Sequence, residues 1–455
     1  MRTVYALSCL LAVAQLPPAR AWGAAGHEIV ATIAEIHLLP SVLSYLRAPD
    51  HALLPAYADG HLAPIASWPD RIRGVPEYRG WSGPLHYTGW EGDHPPEVCA
   101  WPAAQAQGDG RDAEIEQNSR EADQKSEGHW NSEHDVLHAI ANYTSRLEAD
   151  PTEYASLSTS CPYTPQIELI HRPPHSWVSL RFLVHFLGDV HQPLHLTSRE
   201  RGGNGDPVLW EGRRTNMHSL WDGLLIARAL RETNNYTKPL PSQQIEDALT
   251  GRIYDPYVRL LLWEGVRSWW RDALPTWLSC ALAGFKQGDD ATVPSSTRSD
   301  AQLAFLDPGA GGTQRRTGDG DGDVICPFVW ASETHRTTCA LGFPANYDDD
   351  HYSVSTTDSA IESDEGDGSN GFGRLLEVGG QSPFYRKIRD TKAVERLLVQ
   401  GGLRLAATLN TIFAPVAVEA GFSFATDAAQ EEAEQAWTRR GVYWGWLQEE
   451  EGEAH

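Results

Sequence analysis

Residues 175–190, HSWVSLRFLVHFLGDV, are apolar almost throughout, yet they carry His185 and Asp189 four positions apart. A helix of that composition is buried on all sides, so other elements must wrap it. At a spacing of four, the imidazole and the carboxylate share one face of the helix. Ionisable groups on an apolar helix need a partner that offsets their lost hydration, and a bound metal cation is such a partner. His195 follows just past the turn that Pro193 imposes.

The stretch NMHSLWDGLL repeats the device, with His218 and Asp222 again four apart. One such pair alone reads as a histidine paired with a carboxylate on a solvated helix face. Two pairs and a flanking histidine in apolar surroundings offer the imidazole and carboxylate set that Zn²⁺ accepts in catalytic sites. ASWPDRIR adds Asp70 and Arg73, and PLHYTGW adds His86 and Tyr87. Taken singly, Asp70 would begin a turn after Pro69, and His86 would be a satisfied core histidine.

The remaining pattern is mostly helical. Apolar residues recur at helical spacing over 24–38 (Ile29, Val30, Ile33, Ile36) and over 134–149 (Val136, Leu137, Ile140, Leu147). Further helices are expected near 219–231, 255–283 and 391–413, with a short hairpin between 197 and 215. Residues 286–323 are rich in Gly, Asp, Ser and Thr, and 345–371 carry eight acidic residues without Lys or Arg. Both read as exposed insertions in one domain spanning 22–415, followed by an acidic tail over 416–455. DGDGDV (319–324) lacks the Gly and Glu that a calcium loop requires at positions six and twelve.

Residues 1–21 have the form of a secretory signal: Arg2, an apolar stretch from Val4 to Leu16, and the small-x-small site Ala19-Arg20-Ala21. Cleavage after Ala21 would make Trp22 a free amine. No later apolar run of spanning length is expected, so the chain reads as secreted, with no membrane partner. Two sequons, at Asn142 and Asn235, suit that compartment. Cys99, Cys161, Cys280, Cys326 and Cys339 suit it too, as two disulfides and an odd thiol whose pairing the spacing leaves open. The net charge of −24 argues against a polyanion binder that relies on Lys and Arg. It leaves room for one whose positive charge comes from bound metal ions.

The residues now reach a resemblance. Trp-Gly…Gly-His, W-x-D-x-x-R, L-H-Y, H-F-x-G-D-x-H-Q-P-L-H, G-G-N and N-x-H-x-x-W-D stand in one order from Trp22 to about Phe413. That order resembles the zinc-dependent, single-strand-specific nucleases of fungi and plants. The resemblance implies an all-α fold: a single mostly helical domain with a small β-hairpin and a trinuclear zinc cleft. Asp70, His86, His185 and Asp189 would hold one zinc, and His195, His218 and Asp222 a second. The third would take the amino nitrogen and carbonyl oxygen of Trp22, His27, and Asp189 as a bridge.

It further implies hydrolysis of phosphodiester bonds in single-stranded DNA and RNA to 5′-mononucleotides by a zinc-activated hydroxide, with 3′-nucleotides as additional substrates. Asp70 would orient the attacking water, Arg73 would add positive charge at the phosphate, and Tyr87 would stack on a base. A monomer is expected. CPFVWASETHRTTC (326–339) resembles a family segment in which Cys326 would bridge to Cys339 or Cys99. The chain departs from the family at Gly89, where a base-reading Asp commonly stands; the nearest acids are Glu91 and Asp93.

Two other functions share part of this pattern. A zinc phospholipase C has the same metal logic, but Arg73, Tyr87 and NMHSLWD favour nucleic acid over lipid. A catalytically lapsed secreted binding protein, stapled by zinc, would be expected to have lost a ligand, and this ligand set is complete.

Overall fold

Two adjacent glycines, Gly401 and Gly402, let the two central helices cross closely. α1 (Ala24–Ile36) packs along a helix of 27 residues, Ala393–Glu419. A Cβ on Gly402 would meet Ile33 Cγ2 at 2.5 Å, so a side chain there would force the helices apart. The computed structural model describes residues 22–101, 134–148, 176–280, 325–345, 347–348, 375–422, 441–444 and 446. The leader, the 286–323 insertion, most of 345–371 and Cys161 lie outside these residues.

Around the central pair lie α2 (Pro40–Arg47), the short α3 (Ala63–Ala66) and α4 (Trp68–Ile72), α5 (Val136–Glu148) and α6 (Ser176–Asp189). Every residue of α6 from Val178 onward is buried, as its composition requires. α6 packs against α5, α1, α3, α4 and the long helix, so it lies at the centre of the bundle. The next helical run begins at Met217–Ser219, widens into a π-helical stretch at Leu220–Leu224 and continues as α7 (Leu225–Glu232).

The expected hairpin forms as β1 (Pro207–Trp210) and β2 (Arg213–Asn216), antiparallel, with Val208 opposite Thr215. Its turn uses positive φ at Glu211 and Gly212, the geometry of a tight two-residue hairpin.

The single helix expected over 255–283 is broken into Asp255–Leu260, a π-helical stretch Leu261–Trp269, and α8 (Leu274–Trp277). The Trp270 ring folds over Gly265, where a Cβ would meet it at 2.6 Å, and Pro275 can only start a new turn. After α9 (Pro327–Thr337), the long helix, now α10, runs past Pro415 to Glu419, beyond the boundary expected at 415. The acidic tail expected over 416–455 is not wholly exposed. Val442 and Trp446 are buried, and the Tyr443 amide donates to His37 O at 2.8 Å.

The disulfides are Cys99–Cys339 and Cys280–Cys326, so Cys326 pairs with neither of its two expected partners. The first ties the 93–101 loop to the end of α9, and the second joins the chain after α8 to the start of α9. α10 is also long and apolar enough to cross a membrane, with mean hydropathy 1.2, contrary to the expectation that no such run follows the leader. Most of its apolar window is buried inside the protein, where it acts as a core helix.

Candidate metal centre

The buried face of α6 brings His185 and Asp189 to a point where five other segments converge. α1 delivers His27, α4 delivers Asp70, and a 3₁₀ turn at Pro84–His86 delivers His86. A second 3₁₀ turn, Pro193–Leu196, delivers His195, while the π-widened run delivers His218 and Asp222. None of these side chains is more than 7% exposed.

Three sets of ligand atoms lie within 4.8 Å of one another: His27, Asp70 and His185; His86, His185 and Asp189; His195, His218 and Asp222. Asp189 sits between the sets. Its Oδ2 is 2.9 Å from His86 Nδ1 and 3.2 Å from His185 Nε2; its Oδ1 is 3.4 Å from both His27 Nε2 and His195 Nδ1. Trp22 is fully buried beside this cluster, anchored because the Gly23 amide donates to Asp222 O at 2.6 Å.

Backbone carbonyls fix the orientation of three rings. His185 Nδ1 is 2.7 Å from Ala66 O, His195 Nδ1 is 2.9 Å from His86 O, and His218 Nδ1 is 2.6 Å from Gly202 O. Donation from each Nδ1–H leaves Nε2 as a lone pair facing inward, the tautomer a metal ligand needs. Gly202, at φ +67°, allows this approach; a Cβ there would meet Leu194 O at 2.4 Å.

The polar atoms left over define what the cluster lacks. His27 Nδ1 and Nε2, His86 Nε2, Asp189 Oδ1, His195 Nε2, His218 Nε2 and Asp222 Oδ2 are all buried without a hydrogen-bond partner. Each such atom costs about 1–3 kcal/mol if nothing satisfies it. Several in one volume, with each neutral imidazole offering one ring lone pair and each carboxylate its oxygens, fit cations. Burial keeps His27 and His218 neutral down to about pH 4 and holds His86, His185 and His195 low as well. Burial also pushes Asp189 up to about 7 and Asp222 well above its ordinary value. Positive ions among these groups would reverse that cost and restore both carboxylates.

Asp70 lies at the rim, 3.8 Å from His185 Nε2 and 3.9 Å from His86 Nδ1. Arg73 Nη1 is 3.6 Å from Asp70 Oδ1 and donates to the Tyr87 hydroxyl at 3.2 Å. Burial pushes the Tyr87 phenol up, so it remains a neutral hydroxyl. Its half-buried ring lies 4.4 Å from the His195 ring and 5.6 Å below the Arg73 guanidinium. All the site residues read from the sequence therefore meet in one region.

Gly89 has a steric reason to be glycine: a Cβ there would lie 2.8 Å from Ser198 N. No aspartate fits at this position. Asp93 is turned away as well, bonded to the Ala100 amide at 2.9 Å and 3.0 Å from His335 Nε2.

Sequence reasoning overlooked Gln192. Fully buried, it donates to Asp222 Oδ1 at 2.5 Å and accepts from the Leu194 amide at 2.5 Å. It thus joins the turn carrying His195 to the candidate ligand opposite. Its place inside HQPLH was the only available signal. His191 is bonded to Leu187 O and Arg404 and faces away from the cluster.

The chain matches the family model described as S1/P1 Nuclease over residues 22–301. Endonuclease 4 of Arabidopsis thaliana is 27% identical over 401 residues, covering 88% of this chain and 92% of the relative. Nuclease P1 of Penicillium citrinum is 31% identical over 224 residues, covering 48% of this chain and 65% of the relative. Nuclease S1 of Aspergillus oryzae is 30% identical over 212 residues, covering 47% and 56%.

Proposed function

This chain belongs to the S1/P1 nuclease family and is a nuclease, a hydrolase of phosphodiester bonds in nucleic acids, and from that premise we propose a specific enzyme. It is a secreted, monomeric, zinc-dependent endonuclease and 3′-nucleotidase that cuts single-stranded DNA and RNA to 5′-mononucleotides. The observation that carries this reading is the cluster of inward-facing, unpartnered buried atoms on His27, His86, Asp189, His195, His218 and Asp222.

Asp70, His86, His185 and Asp189 would hold one zinc, His195, His218 and Asp222 a second, and the Trp22 amine, Trp22 carbonyl, His27 and Asp189 a third. Bound zinc supplies Lewis-acid charge and lowers the pKa of water.

The protein's own groups do the rest. Asp70, at the rim and near 7% exposure, is placed to orient the attacking water and accept its proton. Arg73, with 29% of its side chain exposed, presents its fork to the phosphate and stabilises charge that grows there. Tyr87 offers a ring to the base beside that phosphate, held by the Arg73 contact. No carboxylate projects from Gly89, so stacking rather than base-edge readout dominates at Tyr87. A second strand would have to be unpaired before a base reached that ring, which is the physical basis for preferring single strands.

The test compares single-stranded DNA, duplex DNA and phosphatidylcholine as substrates of the zinc-loaded protein, with end-group analysis of products. Rapid release of 5′-mononucleotides from the single strand alone is expected. Lipid turnover, or equal cutting of duplex, would overturn the reading.

A further inference from the structure

Trp177, Arg181, His185 and Asp189 follow one another along α6 at four-residue intervals and so form one stripe of that helix. The inner half is the metal centre. The outer half has a different chemistry.

Arg181 is only 7% exposed. Its guanidinium carbon lies 4.3 Å from the Trp177 ring centre, 5.0 Å from Trp68 and 5.8 Å from Tyr57. Among the described residues no carboxylate pairs with it, and its Nε is buried without a hydrogen-bond partner. In a chain with 61 acidic residues and 37 basic ones, a buried arginine without an acid is unusual. Burial depresses its pKa, and the neighbouring Arg71 opposes its charge further. Cation–π contacts hold the guanidinium but leave its N–H donors short of acceptors.

Two exposed groups complete the region. Tyr57 is 58% exposed. Arg71 is exposed on α4, next to Asp70, and among the described residues its side chain donates one hydrogen bond, to Pro64 O at 3.3 Å. Glu28 is the acid that interacts with Arg71 electrostatically.

We propose that Tyr57, Arg71 and Arg181 form a subsite for the single strand that flanks the cleaved nucleotide, the arginines taking a phosphate and Tyr57 taking a base. This rests on the single-strand nuclease reading above. An arginine caged by aromatic rings is weakly hydrated and pairs readily with phosphate. Arg181 and His185 are four residues apart, about 6 Å along the helix axis. A stacked strand advances about 3.4 Å per nucleotide, so the subsite lies roughly two nucleotides from the metal centre. Positive charge here also gives the polymer a foothold on a protein of net charge −24.

The zinc-loaded enzyme and its Tyr57→Ala/Arg71→Ala double variant would be assayed on a dinucleotide and on a single-stranded decamer, at low and moderate salt. Both substituted side chains are exposed, so the fold is retained, and Arg181, which also braces Trp68, is left in place. The ratio of kcat/KM for decamer over dinucleotide is expected to fall roughly tenfold. The logarithmic salt dependence on the decamer should flatten by about 0.7 for the lost phosphate contact. An unchanged ratio and slope, with both substrates cleaved, would overturn the subsite and leave the nuclease reading standing. Failure of the unsubstituted enzyme to cleave either substrate would overturn the nuclease reading and the subsite together.

Discussion

His27 Nε2 lies 3.4 Å from Asp189 Oδ1, and the contact exists because the residue before Asp189 has no side chain. A Cβ on Gly188 would fall 2.5 Å from His27 Nδ1. The His27 ring is stacked on His185 at 3.7 Å and enclosed on all sides, so it has nowhere to move. Gly188→Ala should therefore displace His27 and destabilise the fold by about 1–3 kcal/mol. Metal analysis of the purified variant should find fewer bound ions per chain than in the unsubstituted protein. An equal metal content would show that His27 is not a ligand.

Gln192 holds Asp222 from behind. Its amide donates to Oδ1, which leaves Oδ2 facing His218 Nε2 at 3.2 Å. Gln192→Leu removes that brace without changing the ligand set. Groups in this position typically contribute 10–100-fold to metal affinity. Chelator competition should therefore release one metal from the variant at about 10–100-fold lower chelator activity. Release at the same chelator activity as the unsubstituted protein would contradict this role.

The proposed ligands were legible because helical spacing is local. His185 with Asp189, and His218 with Asp222, are set four apart by the sequence and meet in the structure at 3.2 Å in both pairs. What surrounds them depends on chain segments far apart in sequence. Nothing near Gly89 announces that the Ser198 backbone will pack against it, and nothing near Gln192 names Asp222 as its partner. The break in the 255–283 helix arises from Trp270 closing over Gly265, a contact that periodicity cannot represent. The disulfides likewise follow the placement of α9, not the spacing of the cysteines. The acidic composition of 416–455 gives no sign that Val442 and Trp446 are buried.

Gly89 gives the base pocket a testable asymmetry. Gly89→Asp would supply the carboxylate that the family commonly carries, yet its Cβ meets Ser198 N at 2.8 Å. The same segment donates the Thr88 amide to His195 O at 2.9 Å, so any shift disturbs a proposed metal ligand. The variant is expected to lose about 1–3 kcal/mol of stability and to cut all four homopolymers more slowly. A stable variant with a sharpened base preference would show that the backbone can yield.

His37 predicts an acid sensitivity separate from the metal centre. Burial lowers its pKa to about 4, and its ring packs edge-on against Trp444 and Trp446 at 5.2 and 5.7 Å. The unfolded chain binds this proton near pH 6.5 and the folded chain only near pH 4. Between those values the unfolded state carries more protons, so stability falls as pH drops from about 6.5 towards 4. His37→Phe removes the titrating group while keeping a ring. Its melting temperature should therefore fall less between pH 7 and pH 4.5 than that of the unsubstituted protein. Identical slopes would assign the acid sensitivity elsewhere.

Removal of the expected leader would make Trp22 the first residue of the chain. Gly23 bonds to the carbonyl of Asp222, a proposed ligand, at 2.6 Å, and Trp22 is buried beside the cluster. The third zinc proposed above would meet the Trp22 nitrogen, which another residue either precedes or does not. Its chemistry differs in the two cases, since a free amine has a lone pair and a peptide nitrogen does not. Processing after Ala21 would therefore create a ligand, and one extra residue before Trp22 would remove it. Two preparations, one beginning at Trp22 and one with an added alanine, should melt within a few degrees of each other after metal removal. The extended form should bind one zinc fewer and lose most of its activity on single-stranded DNA. Equal zinc content and equal activity would show that Trp22 serves packing alone and that His27 and Asp189 need no amine beside them.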